Sequence, residues 1–171
     1  MNIFWLNELL KKCAEEHCDK HIVKMILETA QLLYSAKHLV EPNELWHSDV
    51  MKLTGRGPYR LTHKNHPCAK WARECHENYM TLVTLGIFLC KEYTFRYERR
   101  HATESHIWYL LNNPPKLPSV PGGTTRPIAI SNKELHKDTV VESYRNYYIQ
   151  EKSSFAKWTK RSPPKWYIKA N

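Results

Sequence analysis

Residues 18–38 read CDKHIVKMILETAQLLYSAKH, and the spacing of the apolar side chains in this stretch decides the fold class. Its apolar positions lie three and four residues apart, as on one face of a helix: Ile22, Met25, Ile26, Thr29, Leu32, Leu33 and Ala36. Asp19 suits the first turn, and Lys37 and His38 suit the last, because the helix dipole favours negative charge at its start and positive charge at its end. The stretch therefore predicts one long amphipathic helix.

The same periodicity predicts helices on both sides of this one. The predicted elements are a short helix over 6–16 after an extended piece at 2–5, a long helix from 68 to about 97 with Pro67 at its first position, a helix over 104–111 and a last helix from about 137 to 158. Residues 39–66 and 112–133 lose the helical period and collect Pro and Gly, which predicts irregular connections. A long loop in a compact domain is often functional.

Length and composition fit one domain. With 171 residues, of which 42% are hydrophobic, the chain can bury a core of its own. Only five glycines stand against six tryptophans and ten tyrosines, which favours a few long elements over a many-turned sandwich. We therefore expect a mainly α, compact single-domain helical bundle with long irregular loops, spanning residues 1–171.

The chain is strongly basic. Its 26 Lys and Arg residues against 17 Asp and Glu residues give a formal net charge of +9, which attracts polyanions at long range. The excess is highest at the end, where residues 151–171 have a net charge of +5, and residues 159–171 form a basic, aromatic tail. Nucleic acid is the first candidate partner, and the alternative is that the charge only keeps the protein dispersed.

Cysteine usage and hydropathy bear on location. Five cysteines, an odd number, lie in predicted helices rather than in disulfide-framed loops, which favours a reducing compartment. No basic leader precedes an apolar stretch, and the longest nearly apolar run, 82–90, is too short to span a bilayer. We expect a soluble cytoplasmic protein without a membrane partner, in the host cytosol if it is viral.

The polar face of the 18–38 helix is the first candidate for chemistry. His21, Lys24, Glu28 and Gln31 lie three and four residues apart and share that face. Glycosidic cleavage needs a carboxylate that activates a nucleophile and stabilises a cationic sugar, with a protonated group near the leaving base. Glu28 beside His21 and Lys24 meets that need, whereas the alternative is a solvated face with a Lys24–Glu28 ion pair.

Binding residues are predicted where cations and aromatic rings alternate. Helix N-termini attract phosphate, and Trp and Tyr rings stack on bases. Around the start of the long helix these residues are Arg60, His63, Lys64, Asn65, His66, Lys70, Trp71, Arg73 and Asn78. Elsewhere they are Lys20, Gln31, Tyr144, Arg145, Tyr148, Lys160, Arg161, Lys165, Trp166 and Tyr167. The alternatives are that Trp71 belongs to the core while the cations are solvated, and that Trp166 and Tyr167 fill a groove in the protein.

A metal site has weaker support. Two groups of possible zinc ligands occur: His17, Cys18 and His21, and His63, His66 and Cys68. No CxxC pair is present, and the spacings lack the regularity of zinc motifs. We expect neither a metal ion nor an organic cofactor.

Four stretches carry a resemblance to a known family: CDKHIVKMILETAQLL at 18–33, YRLTHKNHPCAKWARECHENY at 59–79, VESYRNYYIQEKSSFAKWTKR at 141–161 and PPKWY at 163–167. They resemble a group of phage and large-virus proteins and, more distantly, the phage pyrimidine-dimer DNA glycosylases of the endonuclease V type. Three local features match that family: an Asp-x-His-x6-Glu stretch formed by Asp19, His21 and Glu28, a loop that enters a long helix near Trp71, and an aromatic C-terminal tail.

The resemblance implies a compact helical repair enzyme that cuts the glycosidic bond at a UV lesion in duplex DNA and then nicks the backbone. It assigns the catalytic carboxylate to Glu28 and the nucleophile to an α-amino group at the start of the chain. Because position 2 is Asn2, whose size favours retention of the initiator residue, that amine is the one of Met1. His21 and Lys24 would orient Glu28 or stabilise charge, and Trp166 with Tyr167 would press on the duplex.

The leading hypothesis is thus a DNA glycosylase that can also act as an AP lyase. A second hypothesis keeps this fold and uses its pocket to bind or hydrolyse a free or modified nucleotide, as a viral protein acting on a host signal does. A third is a DNA-binding protein without a reaction.

Overall fold

Eight α-helices make up the described part of the chain, residues 1–168 of a computed structural model, and no strand occurs there. The helices are α1 (Leu10–Glu16), α2 (Asp19–Val40), α3 (His47–Thr54), α4 (Pro67–Ala72), α5 (His76–Tyr97), α6 (Glu104–Asn112), α7 (Val140–Lys152) and α8 (Lys165–Ile168), with a 3-10 turn at Lys133–Leu135. This confirms the mainly α fold. None of these helices is both long and apolar enough to cross a bilayer.

The two 22-residue helices α2 and α5 pack against each other at the centre of the fold. Helices α1 and α6 also pack on α5, and α4 packs on α2. Gly86 lets α5 approach closely, because a Cβ at this position would lie 3.0 Å from Thr29 Cγ2 on α2 and 3.2 Å from Ile107 Cδ1 on α6. The apolar face predicted for α2 is buried in this core.

The amino-terminal segment, residues 1–9, is not helical and runs into the core. Trp5 and Leu6 are fully buried, and Ile3 and Phe4 nearly so. The sequence predicted that the first helix begins at Leu6. Helix α1 begins at Leu10 instead, because the segment before it is buried in the core. Burial of this segment brings the first residues of the chain against α2.

The long helix predicted from 68 to 97 is two helices, α4 and α5, separated at 73–75. Asn78 holds the break, because its side-chain Nδ2 donates to the carbonyl of Trp71 at 3.0 Å, an oxygen that a continuous helix would use internally. His76 N–H bonds to the carbonyl of Pro118 at 2.9 Å. No Pro or Gly marks the break in the sequence.

Two further predictions are corrected. Helix α3 lies inside the predicted 39–66 loop, and its sequence signal is weak because Val50 is its only buried residue. Helix α7 is shorter than the predicted 137–158. It begins after Thr139, whose side chain forms a capping box with Glu142, and it ends at Lys152. The predicted irregular connection over 112–133 is confirmed for residues 113–132, which lie between the end of α6 and the 3-10 turn.

Candidate active site

Glu28 meets the amino-terminal end of the chain. The backbone N–H of Asn2 donates to Glu28 Oε2 at 2.9 Å, and Lys24 Nζ lies 3.3 Å from Glu28 Oε1. The carboxylate is nearly buried, since Glu28 is 8% exposed, whereas the Lys24 side chain is 66% exposed. One carboxylate oxygen thus faces the start of the chain and the other faces a cation at the surface.

Asn2 is held in place by α7 and by the irregular connection that precedes it. Tyr144 donates its hydroxyl hydrogen to Asn2 Oδ1 at 2.7 Å, and Asn2 Nδ2 donates to the carbonyl of Ala129 at 3.0 Å. Ala129 N–H in turn donates to the Tyr144 hydroxyl at 3.0 Å. Burial raises the pKa of Tyr144, so this hydroxyl stays protonated and able to donate.

The start of α4 forms the third side of the site. His66 Nδ1 accepts the backbone N–H of Cys68 at 3.2 Å and so caps this helix. Burial lowers the pKa of His66, the positive charge of the chain terminus lowers it further, and Glu28 opposes both effects. Burial raises the pKa of the Cys68 thiol to about 11, and the same terminus and Glu28 act on it in opposite directions. Cys68 Sγ lies 3.8 Å from Asn2 Oδ1, so Asn2 contacts both Glu28 and the start of α4.

His21 occupies a different environment. Its ring stacks on Phe4 with centroids 4.4 Å apart, its Nδ1 is hydrogen-bonded to the Tyr148 hydroxyl, and Phe155 contacts its edge. Burial lowers the pKa of His21 to about 3, so the ring is neutral at physiological pH. No hydrogen bond between His21 and Glu28 is present in the described residues, and in this position His21 packs the segment 3–6 against α7.

The predicted binding residues of 60–70 form an exposed, cationic surface beside the site. The side chains of Arg60, His63, Lys64, Asn65 and Lys70 are all exposed, and no ion pair of the described residues involves them. Lys20 is exposed on α2, where its Nζ lies 4.6 Å from the Phe155 ring, and Gln31 is half-buried one turn beyond Glu28. We call Lys64 and Lys70, which flank His66 in the chain, the basic pair.

Four predicted binding residues are core residues, and one of them is Tyr144, which is fully buried. Trp71 is 4% exposed and donates its Nε1–H to the carbonyl of Thr124 at 3.2 Å, Asn78 holds the break between α4 and α5, and Tyr148 is fully buried. The polar groups of these side chains already have hydrogen-bond partners within the protein, which favours the interpretation of Trp71 as a core residue. Arg73 is half-buried, and its Nη1 is buried without a hydrogen-bond partner in the described residues.

The aromatic tail packs on the protein as far as the structure describes it. Arg161 forms a salt bridge with Glu92 at 2.8 Å, and Lys160 pairs with Glu98. Trp166 Nε1–H donates to Glu16 Oε2 at 2.9 Å, and the Trp166 ring lies under the guanidinium of Arg145 at 5.4 Å. The Tyr167 ring contacts Trp158, and Lys165 is exposed. Residues 169–171 of the predicted basic tail lie outside the described residues.

Sequence reasoning missed Asn2, Cys68 and Ala129, which line the site. Cys68 was considered only as a possible zinc ligand, and Ala129 bonds through its backbone, which no side-chain motif reveals. The expectation of an extended segment at 2–5 was the one available signal for Asn2.

Comparisons of the chain with protein-family models, with curated proteins and with solved structures give no match.

Proposed function

We propose that the protein is a DNA glycosylase that removes damaged bases, of the UV pyrimidine-dimer type, from duplex DNA. One observation carries this proposal: the 2.9 Å hydrogen bond from Asn2 N–H to Glu28 Oε2, which brings the amino end of the chain to a nearly buried carboxylate. Glycosidic cleavage through an imine requires an amine and a carboxylate, and the residue that follows the Met1 amine is the one that contacts Glu28.

The proposed nucleophile is the neutral α-amino group of Met1. It attacks the sugar carbon C1′ while the bond from C1′ to the base breaks, and the base leaves with the bonding electrons and takes up a proton. Glu28 accepts the proton that the amine loses, and its negative charge stabilises the cationic sugar. Ring opening at C1′ then gives an imine, and loss of a proton from C2′ eliminates the 3′ phosphate, which accounts for AP-lyase activity.

The environment of Glu28 suits this role. A charge in a nearly buried position is weakly screened, so it stabilises an adjacent cation more strongly than an exposed carboxylate does. Lys24, exposed on the outer side of Glu28, is available to a leaving base or a phosphate. Because the glycosidic bond of a stacked nucleotide is inaccessible, the substrate nucleotide must be flipped or unstacked, and the exposed basic pair is suited to hold the phosphates on either side of it.

The test is base release from irradiated duplex by the parent protein and by Glu28→Gln. This substitution keeps shape and hydrogen bonding but removes the charge, so we expect cleavage to fall by a factor of about 100 or more while DNA affinity stays nearly unchanged. Glu151→Gln is the matched control, because Glu151 is exposed on α7 and has no ion-pair partner in the described residues. Equal rates for the parent and Glu28→Gln at matched thermal stability would remove Glu28 from the active site.

Borohydride trapping on irradiated and abasic duplex identifies the nucleophile. We expect a covalent adduct on the amino-terminal peptide, located by mass mapping. An adduct on Lys20 or Lys24 would move the nucleophile to α2, and base release without an adduct would indicate water activated by Glu28. If the protein cleaves a free nucleotide and does not cleave DNA, the substrate is a nucleotide and the DNA-glycosylase proposal is wrong.

A further inference from the structure

A cluster of possible metal ligands lies apart from the Glu28 site, between the end of α2 and the start of α3. Its members are His38 on α2, Glu44 in the connecting turn and His47, the first residue of α3. His38 Nδ1 lies 3.9 Å from Glu44 Oε1, and His47 Nδ1 lies 3.9 Å from Glu44 Oε2. One ligand atom from each residue falls within 4.8 Å of the others, and no other such group occurs among the described residues.

The hydrogen bonding of His38 prepares it to bind a cation. Its Nε2 lies 3.0 Å from the carbonyl oxygen of Tyr59, which can only accept, so Nε2 carries the proton and Nδ1 presents a lone pair toward Glu44. Metal-binding histidines are typically held in this way, with the second ring nitrogen donating to a carbonyl. The ring of Trp46 packs against both histidines, 5.0 Å from His38 and 4.3 Å from His47, and the two histidine rings lie 5.2 Å apart.

Direct contacts within the cluster do not satisfy these groups. A separation of 3.9 Å is too long for a hydrogen bond, and the Glu44 carboxylate has no hydrogen-bond donor in the described residues. Among the described residues His47 Nε2 is buried without a hydrogen-bond partner, so no hydrogen bond through Nε2 fixes that ring. Three polar groups therefore converge without hydrogen bonds to one another, an arrangement typical of the side chains that bind a metal ion.

The distances suit a small ion. Two ligand atoms at about 2.1 Å from one ion and at the tetrahedral angle lie about 3.4 Å apart. The two histidine–carboxylate separations of 3.9 Å are about half an ångström longer than this, so small side-chain rotations bring the three ligand atoms to one ion. Two imidazoles and one carboxylate favour zinc and the neighbouring transition metals over magnesium or calcium, which prefer sets of oxygen ligands.

We propose that His38, Glu44 and His47 bind one divalent transition-metal ion of the Zn²⁺ type. The cluster lines an open cavity of about 570 Å³ together with Pro42, Pro58, Arg60 and Leu61. Three protein ligands beside an open cavity leave a coordination position for water or for an anion held by Arg60. The ion would also join α2, α3 and the segment that leads to the basic pair.

Zinc binding by the full-length, untagged chain tests this proposal. After treatment with a chelator, the parent protein is titrated with ZnCl₂ by calorimetry and with Co²⁺ by visible absorption. We expect one ion per chain and a weakening of affinity by about tenfold or more in His47→Gln and in Glu44→Gln. Both variants alter side chains that are not fully buried, which preserves the fold, and a thermal melt without metal checks this.

His76→Gln is the matched control, since it removes an imidazole at the start of α5 and should leave zinc affinity unchanged. Two results would overturn the proposal: no stoichiometric uptake of Zn²⁺ or Co²⁺ by the parent, or unchanged uptake in both His47→Gln and Glu44→Gln. Because the readout is binding, its failure leaves the glycosylase proposal untouched.

Discussion

Tyr144 determines where the first residues of the chain lie, although it does not contact Glu28. Its hydroxyl bonds to both Asn2 Oδ1 and Ala129 N–H. Tyr144→Phe therefore leaves the Ala129 N–H without a partner, while Asn2 Oδ1 still accepts from the Ile3 N–H at 2.8 Å. We expect the free energy of unfolding to fall by about 1–3 kcal/mol, the usual cost of an unsatisfied buried polar group. Base release should fall more than DNA affinity, because Asn2 is less firmly held against Glu28.

Tyr147→Phe is the control for this change, as Tyr147 is half-buried on the same helix and its hydroxyl has no hydrogen-bond partner in the described residues. Urea unfolding and a cleavage assay are measured on both variants. If Tyr144→Phe and Tyr147→Phe behave alike, the bonds to Asn2 and Ala129 do not position the site.

Burial of His21 makes stability depend on pH. The pKa of His21 is lowered to about 3, against an ordinary value of about 6.5, so between these values the unfolded chain binds a proton that the folded chain does not. Stability due to His21 is complete above pH 6.5 and is lost as the pH falls toward 3. His17, whose pKa burial lowers to about 4, adds to the loss over the upper part of that window.

The slope of unfolding free energy against pH measures this effect. One proton corresponds to about 1.4 kcal/mol per pH unit. Replacing His21 with Phe keeps the stacking on Phe4 and should lower the slope between pH 6 and 4.5 by about that amount. The readout is the slope, because the lost bond to Tyr148 lowers stability at every pH. An unchanged slope would mean that His21 is charged in the folded state or is not buried.

The residues of the site differ in how far the sequence could predict them. Glu28 could be predicted because helical spacing placed it on a polar face with Lys24, and the two are in contact. His21 shares that side of α2, yet Phe4 covers it, and no periodicity within α2 reports a segment that folds over it from elsewhere in the chain. Asn2 joins the site across 26 residues to Glu28 and 142 to Tyr144, separations that local patterns do not encode.

At the scale of elements, the connection before α7 is fixed to α5 at Gly123. Its φ of +76° lies in the left-handed region, and a Cβ there would lie 2.6 Å from Asn78 Oδ1. That oxygen cannot move freely, because it accepts the Thr124 N–H and the same side chain holds the break between α4 and α5. Gly123→Ala should therefore destabilise the protein by both backbone strain and lost hydrogen bonds.

Gly122→Ala separates the two causes. Gly122 has a φ of +81°, but a Cβ there meets no atom within 4 Å. We expect Gly122→Ala to cost about 1 kcal/mol through backbone strain alone, and Gly123→Ala to cost about 1–3 kcal/mol more. Chemical denaturation of the two variants gives the difference. Equal losses would show that Asn78 does not resist displacement.

Elements that depend on local sequence could be predicted, whereas those that depend on distant contacts could not. Helix α2 could be predicted from its own periodicity, because one continuous face of it is buried. The break between α4 and α5 depends on Asn78 and Thr124, which are 46 residues apart, so the sequence pattern ran through it as one helix. The start of α7 was predictable, since Thr139 and Glu142 have the spacing of a capping box, but the apolar pattern suggested an earlier start.

At the scale of the whole molecule, the position of a cation in the sequence does not show whether it is free. The sequence located the greatest basic excess in the tail, yet Lys160 and Arg161 are paired with Glu98 and Glu92. The basic pair is exposed and has no ion-pair partner in the described residues, although its local charge density is lower. Cations already paired within the protein contribute less to phosphate binding, because their charge is partly neutralised.

The salt dependence of DNA binding measures this distribution of free charge. Each phosphate contact releases condensed counterions and adds about 0.9 to the slope of log affinity against log salt. If both members of the basic pair contact phosphate, the double variant Lys64→Ala, Lys70→Ala should reduce that slope by about 2 and weaken binding to all duplex sequences alike.

The control for the basic pair is Lys11→Ala with Lys91→Ala, a change of equal charge at two exposed lysines that line a different cavity with Glu15 and Glu92. If only net charge matters, both double variants should lose the same small amount of DNA affinity. If a surface beside His66 binds phosphate, only the basic-pair variant should show a lower slope of log affinity against log salt. Fluorescence anisotropy with duplex DNA across a salt series gives both slopes. Equal slopes in the two double variants would mean that the basic pair beside Glu28 does not contact phosphate.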